Sequence, residues 1–328
     1  MKLALKVDVD TYRGTLEGVP RLVDLFEKHG IKATFFFSLG PDMSGRAIKR
    51  VFRKGFVRKV LSASPAASYG FRTMLYGTLL PAPDIGRRKE SVARMREAAA
   101  AGHGIGIHAW DHVDWHDRLP KMTRDEIEDV VAKEHVRFAE IFGKPALFQA
   151  APGWTATPLS VEVQEAHGVV ATSDTRGSEP FFALRADGTA SKVLEIPSTL
   201  PTLDELLAIA LPGAGTQIER ACKFLRRGIW EGAAGGAGVE PATRPLDGTA
   251  SGAAKTAFDV HSIHTEIEGG AVFFAPFADL LAAWKSDGLE FLTFEEICRT
   301  LLPAETPVKR LSFTMLPGRA LPVATGVG

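Results

Sequence analysis

The 328-residue chain is predicted to be an α/β protein folded as a closed or nearly closed (β/α) barrel of about seven strands. Two observations carry that expectation. Short apolar, β-prone runs alternate with segments of helical periodicity along most of the chain, in seven or eight strand–helix units. Residues able to do chemistry recur where those runs end: Asp8 and Asp10, His108, Trp154 in Pro152-Gly153-Trp154, Asp174 and His264. In a (β/α) barrel the C-terminal ends of the strands form the rim on which sites are built.

The elements follow in order. Leu3 to Val9 is an apolar run interrupted by Lys6 and ending on two acids, and strand period two puts Asp8 and Asp10 on one face. Thr11 to Gly14 reads as a turn. Pro20 then opens a helix with Leu22, Leu25 and Phe26 on one side, and Gly30 caps it. Lys32 to Phe37 is a buried strand, so the opening is strand–helix–strand, the unit of a parallel sheet. A helix near Arg88–Ala101 leads into the Gly104–His108 strand, and Arg124–Phe142 is a long helix stopped by Gly143 and Pro145. Further strands are expected at Ala146–Ala150, Val169–Thr172, Val193–Ile196, Phe258–Ile263 and Glu290–Leu292. Residues 1–302 are read as one barrel domain. Residues 231–255, rich in Gly, Ala, Pro and Thr, are read as a flexible loop, and 303–328 as a tail with too little periodicity to place.

Composition narrows the function. Formal net charge is zero, which argues against a whole-protein binder of nucleic acid. Cys222 and Cys298 form no Cys-x-x-Cys and are too few for a disulfide scaffold, so a reducing compartment is expected. Lys6 and Asp8 break the first apolar run, which reads as a strand and not as a signal peptide. No apolar run is long enough to span a bilayer. From Met43 to Pro83, however, there is no acid, and basic residues including Arg50, Arg53, Lys54 and Arg58 alternate with Phe52 and Phe56. Tyr69, Phe71, Met74, Leu75, Tyr76, Leu79 and Leu80 follow as an apolar patch. A basic amphipathic segment followed by aromatics suits an anionic membrane surface; an insert whose apolar side packs on the barrel is the alternative. No protein partner is indicated.

His108 and His112 stand four apart, a spacing that lets two imidazoles share one face. Two imidazoles with one carboxylate suit a divalent ion and leave coordination positions open, so Asp10, His108 and His112 are the expected ligands. Zinc is favoured, and manganese or cobalt also fits. Asp8 beside them is placed to act as general base, with a second ligand role as the alternative. His264 ends a strand and would serve as general acid, or else be an ordinary histidine at the barrel end. His261 has the opposite parity and is left out. The reaction class is metal-assisted hydrolysis of an amide-type bond.

With those residues in view, the sequence resembles the polysaccharide deacetylase superfamily over roughly residues 1–300. The likeness rests on Val7-Asp8-Val9-Asp10, Gly30-Ile31-Lys32-Ala33-Thr34-Phe35-Phe36, Ala101 to His112, Pro152-Gly153-Trp154 and Ile263-His264. It implies a distorted (β/α) barrel and metal-dependent removal of acyl groups from amino sugars, with Asp8 as base, His264 as acid and Asp10, His108 and His112 as ligands. Within the superfamily, Val7 to Thr15, Glu17 to Leu22, His108 to His112, Ser173-Asp174-Thr175-Arg176-Gly177, Ile196 to Pro201 and Ile263-His264-Thr265-Glu266-Ile267-Glu268-Gly269 resemble the bacterial 4-deoxy-4-formamido-L-arabinose-phosphoundecaprenol deformylases. That resemblance implies a lipid-linked substrate at the cytoplasmic face of the inner membrane and a step of lipid A modification that underlies resistance to cationic peptides. An N-deacetylase of another amino sugar or cell-wall glycan is the alternative enzyme, and a silent membrane- or carbohydrate-binding module the alternative class. One departure stands out. The superfamily usually has arginine before Pro-Gly-Trp to orient the base, and this chain has Ala151. Arg176, near Asp174, is the expected substitute.

Overall fold

In a computed structural model of the chain, which describes residues 1–47, 70–234, 258–301 and 305–328, the first strand sets the geometry for the rest. Along β1 (Lys2–Val9), Leu3, Leu5, Val7 and Val9 face outward into the main apolar cluster. Ala4, on the opposite side, packs with Phe36, Val260 and Phe294 in the barrel lumen. Lys6 and Asp8 share the parity of Ala4 and therefore face the lumen too. The outer cluster is covered by helices: α1 (Val19–His29), with Pro20 in its first turn and Gly30 at φ 61° closing it, contributes Val19, Leu22 and Phe26.

The remaining units repeat this plan. β2 (Thr34–Ser38) is buried on both faces; α2 (Lys89–Ala100) precedes β3 (Gly104–Ala109). α3 (His112–Arg118) starts at once on an Asp111 N-cap, and α4 (Arg124–Phe142) runs from a Thr123–Glu126 capping box to Gly143 at φ 69°. Then come β4 (Phe148–Gln149), α5 (Pro158–Ala166), β5 (Ala171–Thr172), β6 (Phe181–Leu184) and β7 (Ala190–Glu195). α6 (Leu203–Leu207), α7 (Gln217–Ala234), β8 (Phe258–His264), α8 (Phe274–Ser286), β9 (Glu290–Leu292) and α9 (Phe294–Thr300) complete the barrel.

Seven strands in the order β8-β1-β2-β3-β4-β5-β7 pair in parallel, matching the expected barrel. Among the described residues the ring does not close by a regular ladder. Thr199 and Leu200, just past β7, donate their N–H groups to Val260 O of β8, each at 3.1 Å, and the Thr199 hydroxyl accepts the Val260 N–H at 2.9 Å. This hydroxyl-mediated seam is the distortion.

Two boundary expectations change. The segment after residue 303 is no loose tail: β10 (Val308–Thr314) pairs in parallel with β6 and antiparallel with β11 (Val323–Val327). The backbone of Arg176 bridges both Thr325 and Ser198, which ties this hairpin back to the ring. Helix α7 continues to Ala234, into the stretch read as a loop from 231; the rest of that stretch, 235–255, lies outside the described residues. Among the described residues no helix is long and apolar enough to cross a membrane.

Candidate metal and catalytic site

Asp10 leaves the end of β1 at the lumen rim, and its carboxylate meets two imidazoles. His108 Nε2 lies 3.1 Å from Asp10 Oδ1 and His112 Nε2 lies 3.6 Å from Oδ2. One ligand atom from each of the three side chains lies within 4.8 Å of the other two. The two histidines meet across a strand end and a helix start, not along one helical turn. His108 belongs to β3, at a register shift against β2, and His112 is the first residue of α3. Asp111 Oδ1 accepts the N–H groups of Val113 and Asp114, each at 3.0 Å, which fixes where α3 begins and so where His112 points.

The three ligands fit a divalent cation. Among the described residues Asp10 Oδ1 is buried with only the His108 ring nitrogen near it, an arrangement costly for a carboxylate unless a positive charge sits beside it. Burial alone would raise the Asp10 pKa; His112 and His108 outweigh it and hold the carboxyl below its ordinary range. A carboxylate and two imidazole nitrogens make a donor set for zinc or a similar ion, and three protein ligands leave coordination positions open.

Asp8 and His264 are partners in the β1–β8 register, so the strand pairing itself sets these two side chains next to one another. Asp8 is 2% exposed. Its Oδ2 accepts a hydrogen bond from Lys6 Nζ at 2.8 Å, while Oδ1 has no hydrogen-bond partner among the described residues and lies 3.8 Å from His108 Nδ1. Lys6 is fully buried and also faces the Trp154 ring, 5.1 Å from its centroid. On His264, burial works to lower the pKa; the carboxylates of Asp10, Asp204, Asp8 and Glu268 overcome that effect and push it up to about 9. Its Nδ1 has no hydrogen-bond partner among the described residues, and Glu268 Oε2 accepts the His264 backbone N–H at 2.8 Å. His261, whose parity excluded it, packs edge-on against Trp284 of α8.

Trp154 has φ 52° and follows Gly153 at φ 60°, two left-handed residues in succession. The indole N–H donates to Ser198 Oγ at 2.9 Å, and the guanidinium groups of Arg176 and Arg319 each lie 4.8 Å from the ring.

The polysaccharide deacetylase family model matches residues 8–172, a span that opens on Asp8 and takes in Asp10, His108, His112 and Trp154. The chain belongs to the polysaccharide deacetylase family. It is 39% identical over 206 residues to a Shewanella sediminis protein named probable 4-deoxy-4-formamido-L-arabinose-phosphoundecaprenol deformylase. That match spans 63% of this chain and 65% of the relative, slightly under two thirds of its length. A Wigglesworthia glossinidia brevipalpis protein of the same name is 28% identical over 310 residues, 93% of this chain and 96% of the relative. Among solved structures, a Mycobacterium smegmatis protein described as a polysaccharide deacetylase has a TM-score of 0.59 at 16% identity, covering 96% of this chain and 94% of its own, which shows the shared fold.

For a member of this family, the supporting residues hold two departures from expectation. Arg176 does not orient Asp8. Its Nη1 donates to both Glu205 oxygens at 2.7 and 2.9 Å, and Nε and Nη2 donate to the carbonyls of Ser198 and Leu200. The cation on Asp8 is Lys6, which the sequence reading took only as a polar break in an apolar run; its even parity with Asp8 was the available signal. Asp174, buried and raised in pKa chiefly by that burial, accepts the Ala151 N–H at 2.7 Å and the Gln164 amide at 2.9 Å, and so anchors the loop that presents Trp154. Glu195, also missed, accepts the backbone N–H groups of Asp174 and Thr175 and shapes that turn. Arg50, Phe52, Arg53, Lys54, Phe56 and Arg58 lie outside the described residues.

Proposed function

We propose that the chain is a metal-dependent deformylase. It hydrolyses the formamide of undecaprenyl-phosphate-linked 4-deoxy-4-formamido-L-arabinose at the cytoplasmic face of the inner membrane, a step of lipid A modification and cationic-peptide resistance. The observation that carries the chemistry is the pairing of Asp8 with His264 in register beside the Asp10–His108–His112 group. A divalent ion held by those three residues, zinc in the first instance, supplies Lewis acidity toward the formyl oxygen and acidifies water. Asp8, kept in place by Lys6, takes the proton from the attacking water. His264, held protonated by its carboxylate neighbours, gives a proton to the departing sugar nitrogen, so formate and the free amine leave.

The names of the two relatives support the substrate. The membrane-facing reading draws support from where the basic segment joins the barrel. Arg46 Nη1, just before it, lies 3.8 Å from Asp111 Oδ2, next to His112, and Gly70, just after it, abuts the Arg13 guanidinium. Phe71 and Leu79 are 71% and 80% exposed on the same excursion. A lipid-linked sugar entering from a bilayer meets such a rim first. The deciding experiment incubates the zinc-loaded protein with purified formamido-arabinosyl polyprenyl phosphate and with its acetamido counterpart. Mass spectrometry follows amine formation with and without chelator. Chelator-sensitive release of formate is expected, and cleavage of the acetamido compound alone overturns the assignment.

A further inference from the structure

Two stretches on which the family likeness rests meet beside the site: Thr11-Tyr12-Arg13-Gly14-Thr15 after β1, and Thr265-Glu266-Ile267-Glu268-Gly269 after β8, of which only Glu268 has entered the chemistry above. The fold presses them together. Glu266 is 3% exposed, and its Oε1 accepts both the Thr11 N–H at 3.0 Å and the Thr11 hydroxyl at 2.5 Å. Oε2 accepts the Thr265 hydroxyl at 3.1 Å. Thr11 Oγ1 in turn accepts the Gly14 N–H at 2.9 Å, and Thr11 O accepts the N–H and hydroxyl of Thr15 at 3.0 and 2.9 Å.

The chain then leaves through a π-helical turn, Gly14–Gly18, a rare geometry that concentrates at functional sites. Glycine is required at this contact. A Cβ on Gly14 would overlap the Glu266 carboxylate and the Thr265 hydroxyl, and one on Gly18 or Gly269 would overlap the Thr265 carbonyl. Arg21 Nη1 reaches across to Gly269 O at 3.1 Å, and the Thr265 N–H donates to Asp8 O at 3.2 Å.

Thr11 directly follows the metal ligand Asp10, and Thr265 directly follows His264. The geometry points to Glu266 as a positioning residue: by gripping Thr11 it locks the Asp10 segment to the His264 segment, so that ion and proton donor keep one separation. This rests on the roles given to Asp10 and His264 under the proposed function. A carboxylate suits the task because it accepts donors from two backbone segments at once in a place closed to solvent.

The test measures Zn2+ affinity by competition with a chromophoric chelator for the wild type, Glu266→Ala, Glu266→Gln and Thr11→Val, with kcat, KM and melting temperature alongside. Loss of an outer partner of a metal ligand weakens metal binding or activity roughly 10- to 100-fold. Glu266→Ala is expected to weaken Zn2+ binding by that order and to lower kcat while KM changes little. Glu266→Gln, which keeps a carbonyl acceptor for Thr11, is expected to restore both. Thr11→Val removes only the hydroxyl and serves if Glu266→Ala does not fold; it is expected to show a smaller loss in the same two quantities. Wild-type Zn2+ affinity and kcat in Glu266→Ala or, failing that, in Thr11→Val overturns the proposal, as does a Glu266→Gln variant no better than Glu266→Ala. The Zn2+ titration needs no substrate. A chain that binds metal in a Glu266-dependent way yet leaves the lipid uncleaved therefore fails only the substrate assignment.

Discussion

Lys6 Nζ lies 2.8 Å from Asp8 Oδ2, two positions apart on the lumen face of β1, and their side chains are 0% and 3% exposed. Removing one member of such a pair leaves the other charge buried without compensation, at a cost of about 3–5 kcal/mol. Lys6→Met is therefore expected to lose stability of that order in urea unfolding and to lose turnover. Adding Asp8→Asn to Lys6→Met removes the orphaned charge and should recover most of the stability, with no recovery of activity. An unchanged unfolding midpoint in Lys6→Met would mean that the pair contributes no net stability.

Asp8 and Asp10 are two residues apart yet are given different tasks, and the tasks separate experimentally. Asp8→Asn is expected to lower kcat by roughly 10²- to 10⁴-fold, the range of a lost general base, with bound metal unchanged. Asp10→Asn and His108→Ala are expected to lose the ion, read by metal analysis after gel filtration. Metal loss in Asp8→Asn would instead make Asp8 a ligand.

What the sequence disclosed of this site follows from strand parity. A period of two fixed the facing of Asp8 and Asp10, and His108 was legible from its place at the end of an apolar run four residues before His112. Lys6 obeys the same parity, but a lysine within an apolar run reads as an interruption until its partner is known to be buried. Arg176 failed differently. Its long side chain reaches any of several carboxylates, and only the fold shows that Glu205 of α6 takes it. The C-terminal hairpin was illegible because β10 is half-exposed along its length, with Lys309 and Arg310 inside it, and pairs with a strand far earlier in the chain. The seam between Thr199 and Val260 depends on one hydroxyl, which no periodicity reports.

The alkaline limb of the pH profile should report His264. An imidazole whose pKa is raised keeps its proton where a free one has lost it. Proton-donating competence is thus present at and below neutral pH and is lost as pH rises through about 9. A dication on Asp10 offsets one of the carboxylates that raise it, so the limb of the zinc-loaded enzyme is expected between the ordinary 6.5 and about 9. His264→Gln should lower kcat by roughly 10²-fold or more and abolish that limb. A limb that persists in His264→Gln would assign the acid elsewhere.

Membrane docking is tested through the basic segment. Each lysine or arginine near an anionic leaflet contributes roughly 1 kcal/mol, so neutralising Arg50, Arg53, Lys54 and Arg58 together should release the protein from phosphatidylserine-containing vesicles in a flotation assay. The effect should vanish on neutral vesicles and weaken with salt. Unchanged flotation would place the contact elsewhere, with Phe71 and Leu79 as the next residues to remove.

Gly153 and Trp154 offer a test of how backbone strain serves the base. Both sit in the left-handed region, where a side chain costs about 1–2 kcal/mol. Trp154 is held there by its bond to Ser198 and by the three cations on its ring, one of them the Lys6 that grips Asp8. Gly153 has no such compensation to draw on, because a Cβ there would overlap the His116 imidazole. Gly153→Ala must therefore displace the loop or the His116 imidazole, and His116 lies on α3, the helix that His112 begins. The expected result is a stability loss of about 1–3 kcal/mol and a fall in kcat together with weaker Zn2+ binding, since the strain passes through His116 to α3 and so to His112. A variant that loses turnover while binding Zn2+ as the wild type does would show instead that the strain stays in the Pro-Gly-Trp loop and reaches Lys6 through the indole.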